Sequence, residues 1–240
     1  MWILLVGCGR VGFDAQSRSG DAGDPSRDAP MLDATTVPAG PAIWLRMETD
    51  PNTGIVDSGG GHTVVCALGC PTLATGENAS GYLFSGNQVD VAPAADLQGS
   101  GFTAAIWINI PAIPSAMVCP WNKTFDTTNG YDTFALCIDT SGMAVYDCET
   151  PGGSTITDTG GTLAADGTWH HIAMTWDGTH MVEWFDGMSV GQGTFPIGSA
   201  NMGLTLGASR SGYFVQGTLD EALYYTRALT PAEIAMLAAR

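Results

Sequence analysis

Positive charge is scarce in this chain. Its 240 residues include eight lysines and arginines against 24 aspartates and glutamates, so the formal net charge is −16 at pH 7. Nucleic-acid binding depends on basic side chains that neutralise phosphates, and such an acidic protein repels a phosphate backbone. The composition therefore argues against nucleic acid as a partner and favours neutral glycans or cations as ligands.

Long apolar runs and metal-binding cysteine spacings are also missing. The sequence has no stretch of 18 consecutive apolar residues, so a membrane-spanning helix is not expected. None of the six cysteines forms a Cys-x2-Cys pair, so a zinc-finger type of site is not expected either. Only 13% of the residues are charged and 32 are glycine, which fits a β-rich extracellular protein.

The first twelve residues carry two overlapping patterns. Gly7, Gly9 and Gly12 spell G-x-G-x-x-G, the fingerprint of a dinucleotide-binding turn. That fingerprint requires a crossover helix and a second buried strand, and the following residues have no helical apolar stripe. The same letters include Leu5–Cys8, which resembles a bacterial lipobox, so we favour the lipobox over the nucleotide site.

The lipobox predicts an anchored protein. We expect lipidation at Cys8, a signal-peptide remnant over residues 1–7 and a disordered tether over residues 8–40, which are poor in apolar residues. Because Met1–Val6 lacks a basic n-region and a full apolar segment, we expect translation to start upstream. Gly9 is not the aspartate that retains lipoproteins at the inner membrane, so the outer membrane or cell surface is expected. The alternative is a soluble protein in which the tetrapeptide has no role.

Five cysteines follow the predicted lipidation site, and an oxidising compartment favours disulfides among them. Cys66 and Cys70 flank a three-residue loop and are expected to pair. Cys137 and Cys148 lie on the two arms of a predicted hairpin, and Cys119 precedes them. Two of these three are expected to pair, with Cys137 and Cys148 as the candidates, although the spacing alone leaves the pairing open.

Short apolar strands separated by turn residues dominate from residue 41 onward. In Phe102–Ile110 the even-numbered residues are apolar, so they are expected on one face of a strand and the others on the opposite face. Strands at this spacing predict an all-β, two-sheet antiparallel jelly-roll sandwich over residues 41–240. Thr230 and Glu233 form a capping box that predicts one short C-terminal helix.

Three stretches resemble a single family. They are TWHHIAMTWDGTHMVEWFDG (168–187), GTLDEALYYTRALTPAEIAML (217–237) and YLFSGNQVDVAPAADL (82–97). Together they resemble the laminin-G-like jelly roll of the concanavalin A-like lectin/glucanase superfamily. The resemblance implies two stacked antiparallel sheets, typically with calcium and often with sugar or protein ligands. It does not imply one function, since a fold hosts many.

The resemblance also implies candidate calcium ligands. Asp220 matches the aspartate of the family's closing D-E pair, and Asp57 lies in a turn similar to the family's D-S-S-G-N-G-H, with Gly60 where asparagine is usual. The family fold brings the first and last strands together, so Asp57 or Glu48 is expected to meet Asp220. Calcium prefers carboxylate and carbonyl oxygens of this kind. We therefore expect a structural Ca²⁺ at Asp57, Glu48 and Asp220.

A sugar site is expected where aromatic rings lie beside hydrogen-bonding groups. Trp121, Asn122, Tyr131 and Asp132 lie in or next to a long predicted loop, Pro111–Gly130, and binding residues are common on loops. We predict that these four residues bind a glycan ligand.

Catalysis is not expected. The superfamily's glucanases carry E-x-D-x-x-E on one strand face, and that motif is absent here. Glu183 and Asp186 are three residues apart on a strand, and His170 and His171 are adjacent, so each pair points to opposite faces. We predict a non-catalytic, surface-anchored module that binds a glycan or an extracellular protein. The alternatives are a glycoside hydrolase with an unrecognised acid pair and a purely adhesive, protein-binding module.

Overall fold

A computed structural model describes residues 37–153, 155–158, 161–209 and 212–240. The predicted lipidation site Cys8, the signal-peptide remnant 1–7 and most of the predicted tether lie outside these ranges. The described residues form the strands β1 (Ile43–Leu45), β2 (Val64–Cys66), β3 (Thr72–Thr75), β4 (Ser80–Ser85), β5 (Val89–Val91), β6 (Phe102–Asn109), β7 (Val118–Asp126), β8 (Tyr131–Ile138), β9 (Ala144–Glu149), β10 (Thr155–Asp158), β11 (Trp169–Trp176), β12 (His180–Phe185), β13 (Met188–Thr194), β14 (Leu204–Leu206) and β15 (Gln216–Tyr225), and the helix α1 (Pro231–Leu237).

The strands form two antiparallel sheets. Sheet 1 has the order β13-β12-β11-β6-β15-β4-β3, with β1 paired to β15, and sheet 2 has the order β10-β9-β8-β7-β14-β5-β2. Apolar side chains of both sheets share one core, in which Phe102 of sheet 1 packs against Phe134 of sheet 2. The predicted all-β sandwich is confirmed.

The alternation of β6 explains why sheet 1 is buried on both faces. Phe102, Ile106 and Ile108 belong to the core between the sheets, as predicted. Ala105 lies on the opposite face, in a second apolar cluster that includes Ile234 and Leu237 of α1. The helix therefore covers the outer face of sheet 1. Over the described ranges, every helix falls short of the length and apolar character that a membrane crossing requires.

The bulge in β15 sets the orientation of the last strand. The pairing of β15 with β6 shifts register between Asp220 and Leu223, and Glu221 adopts a left-handed φ of 51°. Strict alternation would place Leu219 and Ala222 on opposite faces, but both belong to the core between the sheets. The bulge therefore lets side chains on both sides of it face the core between the sheets.

Nearly half of the long loop predicted over Pro111–Gly130 is a strand. The loop is confined to residues 110–117, and β7 then runs from Val118 to Asp126 through the middle of sheet 2. Pro120 and Lys123 conceal this strand in the sequence. Proline is tolerated there because the pairing is irregular between Val118 and Trp121.

The folded unit begins before the predicted boundary at residue 41. The Tyr225 hydroxyl donates a hydrogen bond to the Pro38 carbonyl (2.9 Å), and an Arg227 guanidinium nitrogen donates to the Ala39 carbonyl (3.3 Å). Val37 packs against the apolar cluster beneath α1. Residues 37–40 therefore belong to the fold and not to the tether.

The five cysteines of the described residues form two disulfides and leave one free thiol. Cys66 is bonded to Cys70, and Cys119 on β7 is bonded to Cys137 on β8. The assignment of Cys148 to a disulfide was wrong, because Cys148 faces the core between the sheets whereas Cys137 and Cys119 share the outer face of sheet 2. Cys148 is a free, buried thiol whose pKa is raised to about 12 by burial.

The capping box of α1 gives a test of how the helix is held. The Thr230 hydroxyl accepts a hydrogen bond from the Glu233 amide, and the Glu233 carboxylate accepts one from the Thr230 amide. We expect Thr230→Ala to lower the free energy of unfolding by about 1 kcal/mol, measured by urea denaturation. The side chain of the exposed Thr63 makes no such contact, so the control variant Thr63→Ala should change the free energy of unfolding by less than about 0.5 kcal/mol. Equal effects would contradict a specific capping role.

Candidate functional site

Trp121 is not available to a sugar. Its side chain is 0% exposed, its ring packs edge-on against Phe134, and its indole nitrogen donates to the Leu223 carbonyl. Its place on the inner face of β7 makes it a core residue. The prediction that it is a ligand-binding platform was wrong, because the expected loop is a central strand.

The other three predicted ligand residues also have structural roles. The Asn122 amide donates to the Ala208 carbonyl (2.8 Å), and the Asp132 carboxylate accepts from the Thr124 hydroxyl (2.8 Å). Asn122 and Asp132 are both buried, and the half-buried Tyr131 ring packs against Phe125. Asn122 and Asp132 thus have polar partners within the fold and Tyr131 has an aromatic one, so the three residues do not form the predicted site.

An open groove of about 300 Å³, here called the end groove, lies where the loop before β7 meets the hairpin before β15. An exposed aromatic ring, Tyr213, lines it, and Ile113 forms the facing apolar wall; these side chains are 52% and 55% exposed. Among the described residues, the lining consists of Ile110, Ala112, Ile113, Pro114, Ser115, Ala116, Val118, Tyr213, Phe214 and Gln216. None of these side chains carries a charge at neutral pH.

The hairpin before β15 holds Tyr213 in place. The Ser209 amide donates to the Tyr213 carbonyl (2.8 Å), and the Tyr213 amide donates to the Ser209 hydroxyl (3.2 Å). Ala208 and Phe214 form an isolated β-bridge just outside this pair. The backbone is therefore fixed on both sides of the ring while the ring itself stays open to solvent.

Two neutral polar side chains line the end groove beside the ring. The hydroxyl of Ser115 and the amide of Gln216 make no hydrogen bond to any described residue. Sequence reasoning missed Tyr213 because it lies about 100 residues from the loop that it faces. The one available signal was an aromatic residue directly after a turn glycine, Gly212.

A second groove, of about 380 Å³, crosses the outer face of sheet 2. The Asp90 carboxylate in this groove is satisfied within the fold, because it accepts hydrogen bonds from the Thr205 hydroxyl (2.9 Å) and the Gln88 amide (2.9 Å). Thr124 lines the same groove and donates to Asp132. The carboxylate and two of the hydroxyls on this face are therefore used within the fold.

Two of the predicted calcium ligands meet at one loop. The Asp220 carboxylate accepts from the Asn78 amide (3.0 Å), and the Glu48 carboxylate accepts from the Ser80 amide (3.2 Å). The second Asp220 oxygen, Oδ1, is buried and has no hydrogen-bond partner. Burial, reinforced by the charges of Glu221 and Glu48, raises the pKa of Asp220 to about 8.

The backbone around these carboxylates is strained. Met47, Ala79 and Glu221 have left-handed φ values of 58°, 57° and 51°, and each is adjacent to a residue of this acidic site. Non-glycine residues pay a steric cost in this region, and such strain is concentrated at ligand clamps and active sites. No three His, Cys, Asp or Glu side chains of the described residues converge on one point, so a cation here would also need loop carbonyls or water. An unpartnered buried carboxylate oxygen nevertheless fits Ca²⁺.

Asp57 has a different role. Its carboxylate accepts hydrogen bonds from the amides of Trp44, Gly59 and His62, and it also contacts the His62 ring (2.8 Å). Burial alone would lower the pKa of His62, but the carboxylates of Asp96 and Asp57 outweigh it and raise the pKa above its usual value. Asp57 therefore organises its own turn, and its oxygens are already used.

The two adjacent histidines diverge. His171 is buried against Trp107 beneath α1, and burial lowers its pKa to about 4. His170 lies on the other side of the strand between Asp186 (2.9 Å) and Asp166 (3.3 Å). A buried neutral ring and a ring held between two carboxylates do not form a joint catalytic or metal-binding pair.

Solved structures with the same fold include several binding domains. The binding domain of Paraclostridial Mosquitocidal Protein 1 is 16% identical, with a TM-score of 0.69, and the match covers 83% of this chain and 52% of that one. The chain thus spans about half of that protein. Domain 4 of AbnA, an extracellular arabinanase of Geobacillus stearothermophilus solved with arabinotriose, is 18% identical, with a TM-score of 0.66, over 82% of this chain and 98% of that one.

A botulinum neurotoxin serotype D ligand-binding domain solved with N-acetylneuraminic acid is 10% identical, with a TM-score of 0.60, over 83% of this chain and 50% of that one. At these identities the likeness establishes the fold alone. Curated proteins gave no match. The sequence pattern of the laminin-G-type family matches residues 84–235, more than half of the chain. The chain therefore belongs to the concanavalin A-like lectin/glucanases superfamily.

Proposed function

We propose that the protein is a non-catalytic binding module for neutral glycans and that the end groove is its ligand site. The proposal rests on the exposed Tyr213 ring over a groove in which no described residue contributes a charged side chain, in a protein of net charge −16. Concave sites with an apolar lining and a few convergent polar groups are the usual form of small-molecule sites.

The chemistry of the groove matches a sugar ring. The C–H face of a pyranose or furanose is apolar and stacks on an aromatic ring, whereas its hydroxyls need donors and acceptors at the edge. Tyr213 supplies the ring, and Ser115 and Gln216 supply unused polar groups. A ligand that covers a polar group without forming a hydrogen bond to it loses affinity. Ser115 and Gln216 would therefore select a hydroxylated ligand over a purely apolar one.

The structural relatives support a sugar as the ligand, and arabinotriose, the first of the two sugars, is neutral. Domain 4 of AbnA was solved with arabinotriose, and the serotype D neurotoxin domain with N-acetylneuraminic acid. Both domains share the sandwich fold, although neither is close in sequence. A protein-binding or adhesive role is the alternative, and it predicts partner binding that free sugars do not inhibit.

The absence of catalysis is part of the proposal. Glycosidases place two carboxyl groups roughly 5–10 Å apart across an open cleft. None of the described residues that line the end groove is a carboxylate, and Glu183 is buried within the sandwich. Release of reducing sugars from a bound polysaccharide would contradict this part of the proposal.

We place the module outside the cytoplasm, anchored through Cys8. The two disulfides favour an oxidising compartment, and the lipobox-like segment Leu5–Cys8 favours a lipid anchor on the outer membrane or cell surface. Metabolic labelling with a fatty-acid analogue tests the anchor, and Cys8→Ser should abolish the label.

Removing the Tyr213 ring tests the glycan site. In native affinity gels with arabinan and other neutral polysaccharides, we expect the wild-type protein to be retarded and Tyr213→Ala to lose roughly 10-fold or more in affinity, since stacking and burial contribute about 1.5–3 kcal/mol. Tyr213→Phe keeps the ring and should retain most of the binding. Met188→Ala, which changes an exposed apolar side chain outside the groove, serves as the control. Retardation of Tyr213→Ala equal to wild type would contradict the site, and no retardation of the wild type would contradict the ligand class.

We also propose a structural Ca²⁺ at Asp220 and Glu48. A bound cation would compensate the buried carboxylates and leave loop oxygens and water as further ligands. At a free concentration 100 times the Kd, calcium should raise the free energy of unfolding by about 2.7 kcal/mol. Asp57 is removed from the ligand set, because its carboxylate is occupied within its turn.

The variant Asp220→Asn distinguishes the effect of a bound cation on stability from the effect of the buried carboxylate. In chelator, the wild type loses stability as the pH rises from the unfolded-state pKa near 3.8 towards the folded-state pKa of about 8, because Asp220 must either stay protonated or bear a buried charge. The variant lacks this loss and should be more stable than wild type at pH 8 by more than about 1 kcal/mol, with little difference at pH 4.

Calcium should stabilise the wild type and Asp57→Asn but not Asp220→Asn, as measured by thermal unfolding. An equal calcium shift in the wild type and in Asp220→Asn would place the ion elsewhere. No shift in the wild type would rule out this structural role.

A further inference from the structure

Arg46, which directly follows β1, is distinguished among the basic side chains of the described residues. Arg227 is paired with Glu233 (2.7 Å), Arg240 is paired with Glu221 (3.1 Å), and Lys123 donates to a backbone carbonyl. Arg46 makes no hydrogen bond or ion pair to any described residue, and its Nε atom is buried. A buried guanidinium nitrogen without an acceptor costs free energy unless a ligand supplies one.

The position of the Arg46 guanidinium is fixed by an aromatic ring. Its central carbon lies 5.0 Å from the centre of the Trp44 ring, within the range of a cation–π interaction. The Trp44 ring is itself held, because its indole nitrogen donates to the Glu221 carboxylate, which is paired with Arg240. The donors of Arg46 are therefore preorganised before any ligand binds, which lowers the entropic cost of binding.

Arg46 lines a pocket of about 220 Å³ on the side of the molecule near β1. The remaining lining residues are Met47, Glu48, Thr49, Val56, Ser58 and Tyr82. Thr49 and Ser58 supply neutral hydroxyls, and the side chain of Val56, 63% exposed, supplies an apolar wall. The volume of the pocket is below the usual range for drug-sized ligands, so the pocket suits a ligand as small as one monosaccharide unit.

We propose that this pocket binds the carboxylate of a sugar acid, with Arg46 as the carboxylate ligand and Ser58 and Thr49 as partners of the sugar hydroxyls. A guanidinium presents two parallel N–H donors that match the two oxygens of a carboxylate. The choice of a sugar acid over other carboxylates rests on the glycan-binding function proposed above. The pocket is separate from the end groove, and the two linings share no residue.

Glu48 opposes the ligand from within the same pocket. Its carboxylate accepts the Ser80 amide, and its negative charge repels an incoming anion. Neutralising Glu48 should therefore strengthen binding, either through Glu48→Gln in chelator or through a cation bound between Glu48 and Asp220. The net negative charge of the protein also repels an anionic ligand. Added salt screens this repulsion as well as the attraction to Arg46, so we expect salt to weaken binding less than it weakens binding between partners of opposite net charge.

Titration calorimetry of the full chain with glucuronate, glucose and acetate tests the proposal. We expect glucuronate to bind, and glucose and acetate to bind at least tenfold more weakly, because one lacks the carboxylate and the other lacks the hydroxyls. Equal binding of glucuronate and glucose would overturn the role of the carboxylate. Equal binding of glucuronate and acetate would overturn the sugar, and no binding of glucuronate at millimolar concentration would overturn the site.

Variants assign the binding to Arg46. Arg46→Gln should weaken glucuronate binding by roughly 10- to 100-fold, the usual effect of losing a charge-assisted hydrogen bond, and Arg46→Lys should fall in between. Arg227→Gln removes an exposed arginine away from the pocket and should bind like wild type. Circular dichroism confirms that each variant is folded, and a folded Arg46→Gln with unchanged affinity would overturn the assignment.

Tyr213→Ala separates this proposal from the proposed glycan function. It should leave glucuronate binding intact while reducing the binding of neutral polysaccharide. If Tyr213→Ala abolishes glucuronate binding as well, the ligand lies in the end groove, and the Arg46 site is wrong. If polysaccharide binding fails altogether while glucuronate still binds through Arg46, the neutral-glycan function is wrong and the pocket stands.

Discussion

The bulge in β15 is the constraint on which the rest of this domain depends. β15 lies between β6 and β4 in sheet 1 and also pairs with β1, so a change in its register would move most of that sheet. The left-handed Glu221 realigns Leu219 and Ala222 with the core, and it leaves two buried carboxylates, Asp220 and Glu221, side by side. These two carboxylates then need partners from other parts of the fold.

Each carboxylate of the bulge finds a different kind of partner. Glu221 pairs with Arg240 and holds the Trp44 ring, which positions Arg46 at its pocket. Asp220 accepts one amide from the loop before β4 and keeps one oxygen without a partner. A buried ion pair gains little net stability, but the loss of one member leaves an uncompensated charge. The same local irregularity thus links the C-terminal residue, the proposed cation and the proposed anion pocket.

The sequence predicted correctly those features that depend on residues close to each other in the chain. The apolar alternation of Phe102–Ile110, the capping box at Thr230 and the divergence of His170 and His171 depend on residues within a few positions of each other. It failed for β7, where Pro120 and Lys123 resemble a loop although burial in the middle of sheet 2 makes the segment a strand. The same failure placed Trp121 on a surface, when it belongs to the core.

By itself, the sequence determined the fold class, the acidic character and the residue types available for a site, because patterning and composition are local properties. The tertiary structure alone decided which of these residues meet. Tyr213 reaches the loop before β7 and Glu48 approaches Asp220, because strand order and the β15 bulge bring together residues about 100 to 170 positions apart. No described residue supplies an acceptor to Arg46. Cys148 is a free thiol for the same reason, since the face of a strand on which a residue lies is fixed by packing.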